Sequence, residues 1–182
     1  MLFGCLGLLI AASFTTEIPP LIAAKLAATN EISGSFVQTK VSPPTATASG
    51  RKYVSKGTYR IRPGVDFEWK TREPFETTFY ATPTNYVYAN EDETVRKALK
   101  DLPGFDRIPE GRPPLEMAKG FFDAFDALYK EEGGRFFVKA KPKVRDLKRA
   151  LDRVEAEGTT TNWTLRAIFP NGIAFTIEFT DE

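Results

Sequence analysis

The sequence predicts an α+β protein in which about ten antiparallel strands form a sheet, with helices grouped on one face. Three observations lead to this fold class. Short segments of alternating apolar and polar residues are separated by turn residues, and an aromatic segment with helical spacing interrupts them. The 182 residues include 15 phenylalanines, so the apolar surface to be buried is large. A chain of this length is expected to form a single domain.

The charge balance argues against nucleic acid as a partner. Lys and Arg total 25 against 24 Asp and Glu, so no net field attracts a polyanion from a distance. The chain has no histidine, which removes the commonest general base and the imidazole ligands of metal sites. The paired carboxylates Asp123 and Asp126 are spaced as on a solvated helix surface. We therefore expect a non-enzymatic protein that has no cofactor or metal and recognises apolar surface.

The N-terminal segment predicts export. Residues 2–14 carry no charge, and Ala11 and Ser13 give the small-x-small pattern of a signal-peptidase site. We expect a signal peptide over residues 1–13 and a mature, soluble domain over residues 14–182. The apolar run is shorter than the roughly 20 residues that a membrane-spanning helix needs. A buried N-terminal helix is the alternative.

Two further features of the N-terminal segment bear on the predicted signal peptide. No Lys or Arg precedes the apolar run, which leaves open that the true start codon lies upstream of the recorded one. Cys5 is the single cysteine and lies within the predicted signal peptide, so the mature chain is expected to contain no disulfide.

The first predicted elements are a helix and a long meander. Pro19 and Pro20 suit the first turn of a helix that ends near Asn30. A strand follows over residues 32–41, and Pro43 is among the residues that end it. The next predicted strands cover residues 48–54, 57–62, 66–70, 76–82, 85–89 and 93–97.

Alternation within these strands predicts one strongly aromatic face. Tyr59 and Ile61 share a face, as do Phe67 and Trp69, with polar residues between them. The same period recurs near the C-terminus. Two strands are expected there, over residues 163–169 and 174–180, and Pro170-Asn171-Gly172 is predicted to form the hairpin turn between them.

A helix is predicted over residues 115–132. Phe121, Phe122, Phe125 and Leu128 recur there at helical spacing, and Gly133-Gly134 is a suitable end. So aromatic a stripe is expected to pack on the aromatic face of the sheet.

The chain then has a predicted strand over residues 135–139 and a short helix over residues 144–151. The residues after Leu151 fit either a longer helix or a strand through Val154 and Ala156. The strand is favoured, with a turn at Gly158.

Three segments resemble the outer-membrane lipoprotein carrier (LolA) family. The first is Ser35-Phe36-Val37-Gln38-Thr39-Lys40. The second covers residues 57–69, with Gly57 at its start, Arg62-Pro63 in its turn and Phe67-Glu68-Trp69 at its end. The third is Pro74-Phe75. The match is clearest between residues 36 and 75.

The resemblance implies a periplasmic antiparallel half-barrel, an incomplete β-barrel, whose concave face is covered by helices. It also implies a monomeric carrier that holds lipoprotein acyl chains, takes them from an inner-membrane donor transporter and delivers them to an outer-membrane acceptor. Arg62 would lie beneath a helical lid and gate release. The expected cavity residues are Phe36, Tyr59, Phe67, Trp69, Phe79, Phe121, Phe122, Phe125, Leu128 and Trp163.

The sequence also allows other interpretations of these residues and of the function. The aromatic residues also suit a solid core, and Arg62 also suits a solvated turn. In place of a carrier, the same fold could serve as a sensor that binds a lipid or lipoprotein, or as an enzyme acting on an envelope lipid.

Overall fold

The computed structural model describes residues 15–18, 20–28, 31–45, 49–62, 65–98 and 124–182. Within these residues the chain forms one antiparallel sheet of 11 strands and two short helices, α1 (Pro20–Ala28) and α2 (Arg145–Ala150). The strands are β1 (Ile32–Ser42), β2 (Arg51–Arg62), β3 (Asp66–Glu73), β4 (Thr77–Ala81), β5 (Asn85–Ala89), β6 (Thr94–Ala98), β7 (Phe125–Glu132), β8 (Arg135–Pro142), β9 (Arg153–Gly158), β10 (Asn162–Ile168) and β11 (Ala174–Asp181).

The predicted α+β class, with helices covering the sheet, is wrong, because the described residues are nearly all β. Helix α1 has 9 residues and α2 has 6, so neither can cover a sheet of 11 strands. Neither of these described helices is long and apolar enough to span a bilayer.

The predicted helix over residues 115–132 is wrong where it can be compared. Residues 115–123 lie outside the described part of the chain, and the remainder is β7. This strand pairs with β8 along its whole length, from Phe125 opposite Pro142 to Glu132 opposite Arg135. Phe125 and Tyr129 are four residues apart, a spacing that puts both on one face of a helix and also on one face of a strand.

The sheet has the order β6-β5-β4-β3-β2-β1-β11-β10-β9-β8-β7. The chain therefore makes two meanders, β1 to β6 and β7 to β11, which join where β1 pairs with β11. Strands β6 and β7 lie at the two edges. Outside β7, Thr15 and Tyr129 exchange two backbone hydrogen bonds of 2.6 and 2.7 Å, which cover part of that edge.

Most of the other predicted elements are confirmed. Helix α1, the short helix α2 and the strand β9 that follows it lie where the sequence predicts them. Gly172 has a φ of 79° in the turn between β10 and β11, as expected of the predicted hairpin. The predicted strands over residues 48–54 and 57–62 are instead one strand, β2. It contains an irregularity between Lys56 and Gly57, where the register with β3 shifts.

Candidate functional site

The register of the sheet gathers apolar side chains on one side, which we call the aromatic face. Phe36 lies opposite Phe179 on one side and Gly57 on the other, and Tyr59 lies opposite Trp69. Its larger apolar members are Ile32, Phe36, Tyr59, Ile61, Phe67, Trp69, Phe79, Tyr86, Tyr88, Phe125, Tyr129, Phe136, Val138, Trp163, Leu165, Phe175, Ile177 and Phe179. We call the other side the charged face, because Lys, Arg, Asp and Glu predominate there.

The centre of the aromatic face is densely packed. Phe36, Tyr59 and Phe179 are buried and form its core. The ring of Phe36 stacks on Trp69 at 3.8 Å between centroids, and Trp163 stacks on Phe179 at 4.0 Å. Aromatic pairs of this kind contribute about 0.5–1.5 kcal/mol each beyond the burial of their area. Four of the predicted cavity residues, Phe36, Tyr59, Trp69 and Trp163, therefore pack on one another as a core.

One flank of the aromatic face is more open. Phe67 on β3, Phe79 on β4 and Tyr86 on β5 form a ladder, with ring centroids 6.1 and 5.6 Å apart. All three side chains are half-buried, in contrast to the buried centre. Part of the ring surface of these three residues is therefore exposed.

The structure separates the remaining predicted site residues. Phe125 is buried on the aromatic face of β7, whereas Leu128 is 46% exposed on the charged face of the same strand. Phe121 and Phe122 lie outside the described residues. Phe179 and Phe136 belong to the buried set but were not among the predicted site residues. The alternation in residues 175–179 was the signal for Phe179.

A carboxylate anchors one end of the packed centre. The hydroxyl of Tyr59 donates a hydrogen bond to Asp181 Oδ1, and Trp163 Nε1 donates to the same oxygen at 3.3 Å. Burial, together with the nearby charge of Glu182, raises the pKa of Tyr59 to about 12. The phenol therefore stays protonated, and able to donate to Asp181, to a higher pH than an ordinary tyrosine.

Arg62 lies on the charged face, where it pairs with Asp66 across the turn between β2 and β3. Its Nε donates to Asp66 Oδ1 at 2.9 Å, and its Nη2 donates to Oδ2. Tyr80 Oη donates to the same carboxylate at 3.0 Å, and Arg60 Nη2 lies 3.9 Å from it.

Asp66 itself is buried, and the hydrogen bond from Arg62 lowers the pKa of its carboxyl. Arg62, the last residue of β2, is thus bound to Asp66, while its side chain is 39% exposed. Its gating role stays a prediction.

Two open grooves occur on the other half of the sheet. One of about 590 Å³ crosses β7, β8 and β9 beside Leu128 and Arg153, and Phe125 also contributes to its lining. Another of about 490 Å³ crosses β8, β9 and β10 and shares Lys139 and Glu155 with the first. Charged side chains line both grooves, so neither matches a purely apolar cavity. Within the described ranges, no three His, Cys, Asp or Glu side chains are grouped so that they could hold a metal ion.

Comparisons with known proteins identify no family for this chain. No protein-family model matches the chain, and no curated protein matches it. Among solved structures, the crystal structure of the ywiB protein from Bacillus subtilis matches with 8% sequence identity and a TM-score of 0.26. The match covers 85% of this chain and 93% of that chain. At this TM-score the likeness carries no argument about fold or function.

Proposed function

We propose that this chain is an exported carrier that binds the acyl chains of lipoproteins or related lipids on its aromatic face and ferries them through the periplasm toward the outer membrane. The observation that carries the proposal is the contrast between the two faces of the sheet. One face is charged. The other is aromatic, and its flank at Phe67, Phe79 and Tyr86 is only half-buried.

The energetics of acyl chains favour such a face. Each buried methylene contributes about 0.8 kcal/mol, so a long acyl chain left in water costs on the order of 10 kcal/mol. A carrier must offer enough apolar surface to offset that cost, yet must release the chain to a membrane. The buried cluster of Phe36, Tyr59 and Phe179 forms the packed base of the binding surface, while the half-buried flank leaves aromatic surface for the ligand.

The residues that resemble the lipoprotein carrier family support the same proposal. Phe36 comes from the first segment of the resemblance, Gly57 and Trp69 come from the two ends of the second, and the three residues meet in the packed centre of the aromatic face. In the proposed role the protein takes its cargo from an inner-membrane donor and passes it to an outer-membrane acceptor. Those two partners rest on the resemblance alone.

A matched pair of variants on β4 tests the proposal. Phe79 and Tyr80 are adjacent, half-buried aromatic residues, and they lie on the aromatic and the charged face respectively. Phe79→Ser should weaken binding of an environment-sensitive fluorescent fatty acid roughly tenfold or more, since burying a phenylalanine contributes about 1.5–3 kcal/mol. Tyr80→Ser should change the dissociation constant less than about twofold.

Circular dichroism of both variants checks that the fold is intact. Equal weakening by the two substitutions, or no binding by the unmodified protein, would contradict the proposal.

A further inference from the structure

On the central strands, the charged residues of the aromatic face are segregated between the two ends. The register puts Lys40 and Arg51 at the end where β1 finishes and β2 begins, and Asp181 at the opposite end. The edge strands carry one charge each on this face: Glu131 of β7 lies in the register row of Phe36, and Lys97 of β6 lies in the row of Ile32. Along the central strands, the face therefore has a basic end at Lys40 and Arg51 and an acidic residue, Asp181, at the other end.

The two carboxylates of the aromatic face, Asp181 and Glu131, are already bound by the protein. Asp181 accepts hydrogen bonds from Tyr59 and Trp163, and Glu131 Oε2 accepts one from the backbone N–H of Leu21 at 3.2 Å. These carboxylates hold α1 and the aromatic centre in place. They offer no favourable position for a second anion.

In the described part of the chain, the cations of the basic end contact aromatic side chains and no carboxylate. Lys40 lies opposite Tyr53, and its Nζ is 5.4 Å from the centroid of the Phe175 ring. Arg51 Nη1 donates to Tyr53 Oη at 3.3 Å, and Tyr53 is 52% exposed. Among the described residues, neither Lys40 nor Arg51 forms a salt bridge with a carboxylate. Two cations and a phenol hydroxyl thus lie together at one end of the apolar surface.

From this arrangement we infer that the ligand is an anionic amphiphile, with its carboxylate or phosphate headgroup at Lys40 and Arg51. Its acyl chain runs along β1 over the packed centre at Phe36, which lies four residues, or about 13 Å, from Lys40, and continues toward the half-buried flank at Phe79. The inference rests on the proposed function and adds the class and orientation of the ligand. Lys and Arg are the side chains that bind carboxylate and phosphate oxygens by charge-assisted hydrogen bonds.

Four ligands that share one alkyl chain distinguish the contribution of the headgroup to binding from that of the chain. The mature protein is titrated with dodecanoate, dodecyl phosphate, dodecanol and dodecyltrimethylammonium, all below their critical micelle concentrations. We expect at least one anion to bind about threefold to tenfold more tightly than the alcohol, as two partly exposed ion pairs allow. The two anions together show whether a carboxylate or a phosphate is preferred.

Charge reversal at one lysine, with a matched control, locates the headgroup. Lys40→Glu should abolish the preference for the anion, whereas Lys52→Glu makes the same charge change on the charged face, opposite Val41, and should preserve it. Arg51→Gln should reduce the preference and serves as the second variant if Lys40→Glu does not fold. Equal affinity for the alcohol and both anions would overturn the inference but leave acyl-chain binding standing. If none of the four ligands binds, the proposed function itself fails.

The orientation has its own test. Both tryptophans of the chain lie on the aromatic face away from Lys40: Trp163 is level with Phe36 in the register, and Trp69 lies beyond it. A fatty acid with a nitroxide near its methyl end should therefore quench tryptophan fluorescence more than one with the nitroxide next to the carboxylate. Stronger quenching by the label next to the carboxylate would place the headgroup at the end where Asp181 lies and overturn the inference.

Discussion

The ring of Phe36 occupies the space beside Gly57 on the neighbouring strand. A Cβ added to Gly57 would come 2.8 Å from Phe36 Cζ and 1.8 Å from the carbonyl oxygen of Lys70. Gly57 also lies where the register between β2 and β3 shifts, so a larger residue there would strain both packing and pairing. The absence of a side chain lets Phe36 reach Trp69 on β3 and stack on it.

Gly57→Ala should therefore destabilise the fold. The added methyl has no space, and overpacking of this kind typically costs about 1–3 kcal/mol. The free energy of unfolding in urea measures the effect. Thr58→Ala is the control, because Thr58 is the next residue and faces the charged side; its effect should stay within about 0.5 kcal/mol. Equal stability of Gly57→Ala and the unmodified protein would contradict the described packing of Phe36.

Asp66 should make stability depend on acid pH. Arg62 lowers the pKa of the Asp66 carboxyl in the folded state, whereas the unfolded chain keeps an ordinary pKa of about 3.9. The stabilisation is therefore complete above that ordinary value and is lost as the pH falls from about 4 through the lower pKa of the folded state.

The urea midpoint, measured between neutral pH and about pH 3, tests this sign. Asp66→Asn should lower the midpoint at neutral pH and flatten its decline in acid. Asp92→Asn removes an exposed carboxylate from the turn between β5 and β6 and should leave both nearly unchanged. If the urea midpoint of Asp66→Asn fell in acid as steeply as that of the unmodified protein, this would argue against the pairing of Asp66 with Arg62.

If the protein is exported, a signal peptidase should remove its N-terminal segment. When the full chain is expressed in a bacterium with a periplasm, Edman sequencing or mass spectrometry of the folded product should find a start near Phe14. The product should also fractionate with periplasmic proteins. A folded protein that retains Met1 in the cytosol would contradict both the signal peptide and the proposed location.

Local pattern in the sequence predicted the aromatic face well. Alternation at Tyr59 and Ile61, and at Phe67 and Trp69, is enough to assign a face, because side chains of a strand point alternately to its two sides. What alternation does not give is the order of the strands. The pairing of β1 with β11, which brings Phe36 beside Phe179, depends on contacts between distant parts of the chain.

The fold class was missed for a related reason. Phe125 and Tyr129 fit one face of a helix or of a strand equally well, and the pairing of β7 with β8 decides between them. The contacts of Arg62 could not be predicted from local sequence pattern either. Its position in a turn was visible in the sequence, but its contacts with Asp66 and the face on which they lie depend on the register of β2 and β3.

Quenching of the two tryptophans by a brominated fatty acid tests acyl-chain binding on the aromatic face most directly. Trp69 and Trp163 both lie on that face, and the chain has no other tryptophan. Bromine quenches indole fluorescence only at close range, and the same fatty acid without bromine is the control. The account predicts saturable quenching by the brominated ligand alone, reduced by Phe79→Ser but not by Tyr80→Ser. Unchanged fluorescence, at concentrations where calorimetry shows the ligand bound, would place the acyl chain elsewhere and contradict the central claim.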